Sequence, residues 1–278
     1  MIHWSVIIYI FLLLVLCNYL LRRFRGRGFF SKKIEDKYDF TFFLAEILLL
    51  VIGFRALFLE PFIIPSSSML PNLLVGDYIF VNKMSYGYGQ YSFPLRPIDF
   101  SNRLFAKDPQ RGDVVVFRYP PNTKDSYVKR IVGLPGDVLQ VKNGRLYLNG
   151  EPLKKTSIND FLIDDENNLP IAQFDETILL SEKGRARDYR ILERNANYGD
   201  LDNTTTYIVP DNHSFGMGDN RDNSLDSRVA ALFGGVGFIP YENVIGRVAF
   251  VLFSINKHNH QSSLGWSIRF DRFFSRVK

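Results

Sequence analysis

The chain has 278 residues, 46% of them hydrophobic, and a formal net charge of +5, room for one large or two small domains after any anchor is set aside. The apolar excess lies in the first sixty residues, and the basic residues beyond the first loop are scattered, which argues against nucleic acid and for attraction to a membrane surface. The one cysteine, Cys17, lies inside the first apolar run, so disulfides, a zinc–thiolate cluster and a cysteine nucleophile are excluded from the remainder.

From Ile2 to Leu21 there is no Asp, Glu, Lys or Arg. At about 1.5 Å per residue such a stretch matches the bilayer core, so a transmembrane helix is predicted over residues 1–21. A cleaved signal peptide would show a basic segment before the apolar run and a small-residue cleavage site after it, and neither is present. Residues 22–39 carry Arg22, Arg23, Arg25, Arg27, Lys32, Lys33 and Lys37 against Glu35, Asp36 and Asp39, which the positive-inside rule places in the cytoplasm. A second span is predicted over 40–60, with Glu46 facing the other helix or snorkelling, and Arg55 and Glu60 at the far interface. The alternative there is an amphipathic helix lying on the surface. Two spans put everything after Glu60 outside.

The next stretch, Phe62 to Pro71, holds Ser66, Ser67 and Ser68 between Pro65 and Pro71. Each proline fixes its own φ and pushes the residue before it into an extended conformation, so the serines are expected in a restrained turn, a setting that suits a nucleophile. A Ser/Pro linker between an anchor and a soluble domain is the plainer reading. Beyond Pro71 short β-branched and aromatic runs follow, Asp77 to Lys83, Asp113 to Tyr119, Tyr127 to Val132 and Val138 to Val141, and predict strands. Asn143-Gly144 and Asn149-Gly150 predict hairpin turns. The polar stretch 154–203 reads as an exposed extension or subdomain, and the apolar pattern returns at Tyr207 to Val209 and Val244 to Ile255. The expectation is a mostly-β fold, an antiparallel β-sheet domain over 61–256 carried on two N-terminal transmembrane helices. Residues 257–278 mix aromatics with Arg269, Arg272, Arg276 and Lys278, which suits contact with anionic lipid or equally a last strand with a polar end.

Of the histidines only His213 sits among candidate motifs, and a Ser-His-Asp triad would have to use it. Lysine is the other base open to a serine. Strand alternation puts Lys129 on the face of Tyr127 and Ile131 and sends Arg130 to the other. Between two large apolar neighbours the ammonium is poorly solvated. Unperturbed, about one lysine in 2,500 is neutral at pH 7, and a drop of ~2.5 units costs roughly 3.4 kcal/mol. From the hexapeptide alone, a lysine snorkelling from a strand edge is the commoner case. Asp219, Asp222 and Asp226 lack the glycine and terminal glutamate of a calcium loop, and Tyr86-Gly87-Tyr88-Gly89 lacks the third glycine of a nucleotide loop.

Taken together, Pro65-Ser66-Ser67-Ser68-Met69-Leu70-Pro71, Arg111-Gly112-Asp113-Val114-Val115-Val116-Phe117, Lys129-Arg130-Ile131-Val132-Gly133-Leu134-Pro135-Gly136-Asp137 and Gly218-Asp219-Asn220-Arg221-Asp222-Asn223-Ser224-Leu225-Asp226-Ser227-Arg228 resemble the bacterial type I signal peptidases, or leader peptidases. These are serine proteases with a Ser-Lys dyad. The resemblance runs from the first anchor to about Ser254. It implies Ser68 as nucleophile, Lys129 as general base, and Ser66 with the Ser68 backbone N–H as oxyanion hole. It further implies that Ser224 hydrogen-bonds Lys129 and that Asp226 and Arg228 support the site as an ion pair. By the same resemblance Phe62, Ile64, Met69, Leu73, Tyr127 and Val128 line the substrate pockets. No metal or organic cofactor is implied, and the partners implied are exported preproteins with A-x-A signal peptides, cut at the outer face of the inner membrane. After Arg228 the sequence departs from the family's commoner pattern by inserting Val229-Ala230-Ala231-Leu232-Phe233-Gly234-Gly235. A self-cleaving repressor-type protease on the same fold is disfavoured by the two spans. A non-enzymatic membrane-anchored β module is the rival of another class.

Overall fold

The computed structural model describes residues 44–45, 47–48, 51, 58–93, 103–162, 170–180, 184–194, 199, 201–256 and 266–277. The predicted span 1–21 and loop 22–39 lie outside the described residues. Within 40–60, Leu44, Ala45, Ile47, Leu48 and Val51 are helical. Among the described residues no helix is long and apolar enough to cross a membrane.

The chain then runs through β1 (Leu59–Ile63), β2 (Asp77–Asn82), β3 (Val114–Tyr119) and β4 (Asn122–Gly133). A middle group follows, β5 (Val138–Lys142), β6 (Arg145–Leu148), β7 (Glu151–Pro152), β8 (Lys154–Ser157), β9 (Phe161–Leu162), β10 (Pro170–Leu179), β11 (Ala186–Glu193) and β12 (Tyr207–Ile208). Last come β13 (His213–Met217), β14 (Ile239–Pro240), β15 (Val244–Asn256), β16 (Ser267–Ile268) and β17 (Ser275–Arg276). The main sheet has the order β1-β2-β15-β3-β4-β13-β14, with β16 and β17 paired to β15. Smaller sheets run β12-β5-β6-β7 and β11-β10-β8, with β9 on β10. All these strand pairs are antiparallel. The sheet is as expected from the short β-branched runs, except that β1 begins inside the stretch predicted as the second span.

Among the described residues two stretches of the main sheet keep a free edge. β1 has a partner only in β2 there. The Ile64 N–H bonds to Asp77 O at 2.9 Å and the Lys83 N–H to Phe58 O at 3.1 Å, so the even positions face β2 and the backbone of Pro61, Ile63 and Pro65 faces outward. β4 pairs with β3 from Asn122 to Arg130 and, among the described residues, with β13 only from Arg130 onward. The Ile131 N–H bonds to Asp113 O at 2.8 Å, and the same alternation turns the backbones of Ser126 and Val128 away from β3.

Beneath the serine turn the core gathers Ile64, Met69, Leu73, Ile79, Val81, Val116 and Val248. A second cluster joins Leu139 and Leu146 to Ile178, Tyr189 and Ile191, with Phe215 from β13. The polar stretch 154–203 thus sends its described residues Ile178, Tyr189 and Ile191 into the core, the subdomain of the two readings. Its polarity misleads because several inward positions carry charges that are answered inside: Glu176 accepts from Tyr189 Oη at 2.6 Å and pairs with Arg221, and Lys155 pairs with Glu193. The C-terminal segment is a strand in part, through β16 and β17, while Phe270 and Phe274 remain 77% and 66% exposed. The segment inserted after Arg228 folds into a compact loop, with Gly235 N–H to Ala230 O at 3.2 Å, Gly237 N–H to Val229 O at 3.1 Å and Tyr119 Oη to Gly235 O at 3.1 Å.

Candidate active site

The serines leave β1 in extended conformation at Ser66 (φ −129°, ψ 159°) and enter one 3-10 turn, Ser67–Met69. Met69 plugs the turn into the core at 1% exposure, and the Leu73 N–H bonds to Met69 O at 2.9 Å. The turn is also pinned from the loop after β13. The Asn220 N–H donates to Ser68 O at 3.1 Å, Asn220 Nδ2 to Ser67 O at 3.1 Å, and Asn223 Nδ2 to Ser67 Oγ at 2.8 Å. That loop comes close because residue 218 is glycine: a Cβ there would stand 2.6 Å from Ser68 O and 2.2 Å from Ser224 Oγ. Asn220 and Asn223 have no chemistry of their own here, and only their place between Asp219 and Ser224 hints at a role.

Lys129 reaches the turn from β4. Its Nζ donates to Ser68 Oγ at 2.8 Å, and the residue is 4% exposed. Burial pushes the ammonium down to about 8, against the pull of Asp226 and Asp219, with the Arg228 charge adding to the fall. Its neighbour Arg130 points to the opposite face, as alternation requires, where Nε and Nη2 grip Asp219 Oδ1 and Oδ2 at 2.7 and 2.8 Å and the guanidinium lies 4.2 Å over the Tyr189 ring. Asp219 is thus committed to Arg130 and to Asn72 Nδ2 at 2.7 Å, and Asp226 to Arg228, so the aspartates form ion pairs and not a cation loop. Among the described residues no cluster fit for a metal is present.

Asp226 and Arg228 pair through Nε–Oδ1 and Nη2–Oδ2, both at 2.9 Å, and Asp226 Oδ2 also accepts the Gly218 N–H at 2.9 Å. Although burial pushes the Asp226 carboxyl up, Arg228 and the Gly218 amide hold it below the usual carboxylate range. Arg228 Nη2 also donates to Arg221 O at 2.5 Å, and Arg221 in turn holds Glu176 of β10. A line of charges thus runs from the polar middle sheet to the lysine. Ser224 is placed in the same cleft, but the expected bond to Lys129 is not formed: among the described residues its Oγ is buried without a partner, and Lys129 Nζ is turned to Ser68. Ser66 Oγ lies 3.4 Å from Ser68 Oγ. The Ser68 N–H has no acceptor among the described residues.

The cleft over Ser68 has a volume of about 910 Å³. Of the expected pocket residues, Phe62, Ile64, Met69, Tyr127 and Val128 line it. Leu73 does not: it is fully buried beneath Ile64 and Met69 in the core. Val116, Leu201, Leu225 and Val229 line the cleft as well, and no local pattern marked them. His213 opens β13 beside a separate cleft lined by Tyr86, Arg103 and Tyr241, with Nδ1 2.8 Å from Asp211 O. It is not brought to the serines.

Comparison with known proteins supplies the family. The model described as "Signal peptidase, peptidase S26" matches residues 38–253. A protein named signal peptidase I from Rickettsia typhi is 37% identical over 234 residues, 81% of this chain and 82% of its own length. Its counterpart in Rickettsia rickettsii is 38% identical over 234 residues, 81% of each. A solved structure, a signal peptidase I from Enterococcus faecalis V583, is 27% identical with a TM-score of 0.29, covering 51% of this chain and 98% of its own. On the family match and the rickettsial relatives, the chain belongs to the signal peptidase family, peptidase S26, and is a serine peptidase.

Proposed function

We propose that this enzyme removes signal peptides from exported preproteins at the outer face of the bacterial inner membrane, with Ser68 as nucleophile and Lys129 as general base. The observation that carries the reading is the 2.8 Å contact between Lys129 Nζ and Ser68 Oγ at a lysine that burial makes easy to deprotonate. Neutral Lys129 takes the Ser68 proton as Oγ attacks the scissile carbonyl carbon. The oxyanion accepts hydrogen bonds from the Ser68 N–H and the Ser66 hydroxyl. Lys129 passes its proton to the departing amine, then draws one from a water that attacks the acyl-enzyme, and Ser68 recovers its proton. The buried Asp226–Arg228 pair fixes the electrostatic surroundings of the lysine, and Ser224 lies where its hydroxyl can orient Nζ.

The free backbone edges of Ile63 and of Ser126 and Val128 face the cleft residues, so an extended substrate can lie between β1 and β4 as an added strand. Side chains then alternate, and the first and third residues before the cut share one face. Shallow pockets floored by Ile64, Met69 and Val128 accept methyl groups there, which matches signal peptides ending in A-x-A. Two N-terminal spans hold enzyme and substrate in one bilayer, so weak recognition suffices. Phe270 and Phe274, exposed beside Arg269 and Arg276, suit contact with anionic lipid.

The test is processing of a purified preprotein by the detergent-solubilised chain, beside Ser68→Ala and Lys129→Ala, with sequencing of the new N-terminus. Cleavage after a small-x-small site, lost in both variants, is expected. Similar rates in Lys129→Ala would remove the lysine from the mechanism.

A further inference from the structure

The Tyr127 ring lines the Ser68 cleft, and it is backed by residues that take no part in the chemistry. β3 pairs Phe117 with Tyr127. Tyr119, two residues on and on the same face of β3, lies diagonally across from Tyr127. The Tyr119 and Tyr127 rings are parallel to within 6°, with centroids 4.4 Å apart, and the Phe117 centroid is 6.4 Å from Tyr127. Tyr119 is not among the residues that line the cleft; it supports one that is.

The segment inserted after Arg228 holds Tyr119 in place. Tyr119 Oη donates to Gly235 O at 3.1 Å. Gly235 closes the insert onto its first residue: a Cβ there would stand 2.1 Å from Val229 O and 2.4 Å from Val229 Cβ. The N–H groups of Val229 and Val236 both donate to Asp226 O at 3.1 Å, so the two ends share one anchor. The tip, Leu232 and Phe233, is 88% and 77% exposed. Val229 itself lines the cleft. The insert therefore reaches the cleft twice, directly through Val229 and through Tyr119 behind Tyr127. Tyr127 and Lys129 share a face of β4, two residues apart, and Lys129 Nζ meets Ser68 Oγ at 2.8 Å, so the supported ring stands close to the reacting hydroxyl.

We propose that Tyr119 is a positioning residue for substrate selection: clamped by the inserted loop, it keeps the Tyr127 ring from yielding, so that the cleft refuses large side chains ahead of the cut. The proposal rests on the Ser68–Lys129 reading. A ring with open space behind it would swing aside for a leucine. A ring stacked on a second one, itself hydrogen-bonded to a closed loop, moves only if both contacts break, and selection by exclusion needs such a wall.

The experiment uses the full chain in detergent and peptides that differ only in carrying Ala, Val or Leu at the first or the third position before the cut. Wild type is expected to cut the Ala peptide with kcat/KM at least about 10-fold above the Leu peptide at one of these positions or both. Tyr119→Ala should bring that ratio to within about 3-fold, chiefly by faster cleavage of the Leu peptide. Damage to the fold alone gives no such gain, and a ratio measured on one sample does not depend on the fraction folded. Tyr119→Phe keeps the ring stack, loses the bond to Gly235, and should lower the ratio about 2-fold; it also reads the effect where Tyr119→Ala does not fold. A ratio unchanged in the folded variants, rates that fall alike for all peptides, or no preference for Ala in wild type overturns the role of Tyr119. Failure of wild type to cut any of the peptides overturns the peptidase reading instead, so the two failures are distinct.

Discussion

Among the described residues two lysines are buried, at opposite extremes of use. Lys83, just after β2, is 0% exposed, with Nζ 2.8 Å from Glu60 Oε2 and 2.6 Å from Ser92 O. Lys129 is 4% exposed and faces the Ser68 hydroxyl, with no ion pair of its own among the described residues. The first has a carboxylate to answer its charge, as buried cations require. The second is denied one, although Asp219 and Asp226 are near, because Arg130 and Arg228 hold them. Burial alone does not make a base; what matters is where the neighbouring carboxylates are spent.

The largest effect that tests this contrast is on turnover. Lys129→Ala should lower kcat/KM for preprotein cleavage by about 10³-fold or more, within the reach of general-base catalysis, whereas Lys83→Ala should keep turnover per folded molecule within a few-fold. Equal losses would erase the distinction. Stability should move in opposite directions. Lys83→Met removes the cation 2.8 Å from Glu60 Oε2 and should cost about 1.5–3 kcal/mol in denaturant unfolding. The folded-state pKa of Lys129, about 8, lies below the unfolded value near 10.4, so its ammonium penalises folding fully below pH 8 and is relieved as pH rises toward 10.4. Lys129→Met should therefore stabilise the protein at pH 7 by up to about 3 kcal/mol and gain nothing above pH ~10.4.

The pH profile is a finer probe. Because the neutral amine is the active form, kcat/KM should climb with pH and level off above about 8; a flat profile from pH 6 to 9 would contradict a lysine base. The smallest expected change is in Asp226→Asn. Loss of that anion removes a pull that raises Lys129, so the limb should move to lower pH. A limb that moves upward would show that Arg228, once released, does not act on the lysine as its charge requires.

Much of the site was legible before the fold was known. Alternation in Tyr127 to Val132 separated Lys129 from Arg130, and the Asp226–Arg228 pair was implied by the family resemblance alone. The rest depended on partners far along the chain. Glu176 and Arg221 lie 45 residues apart and turn a polar stretch into core, a pairing that hydrophobic periodicity cannot register because the inward position is a charge. Leu73 follows the same logic in reverse: it is apolar and close to Ser68 in sequence, yet the turn at Met69 directs it under the cleft. Ser224 reached the site without the bond expected of it. The family membership removes the non-enzymatic β module.

The outward edge of β1 carries Pro61 and Pro65 on either side of Ile63. Proline has no N–H, so between these two prolines the outward backbone offers a single donor, that of Ile63. On the proposed reading the enzyme meets unfolded chains of every sequence as they leave the membrane, and a strand with its full ladder of donors would hold any of them. With one donor the backbone gives little adhesion that is blind to sequence. An arriving chain stays only if its side chains fit, and the protein itself is protected from pairing edge to edge with its own copies.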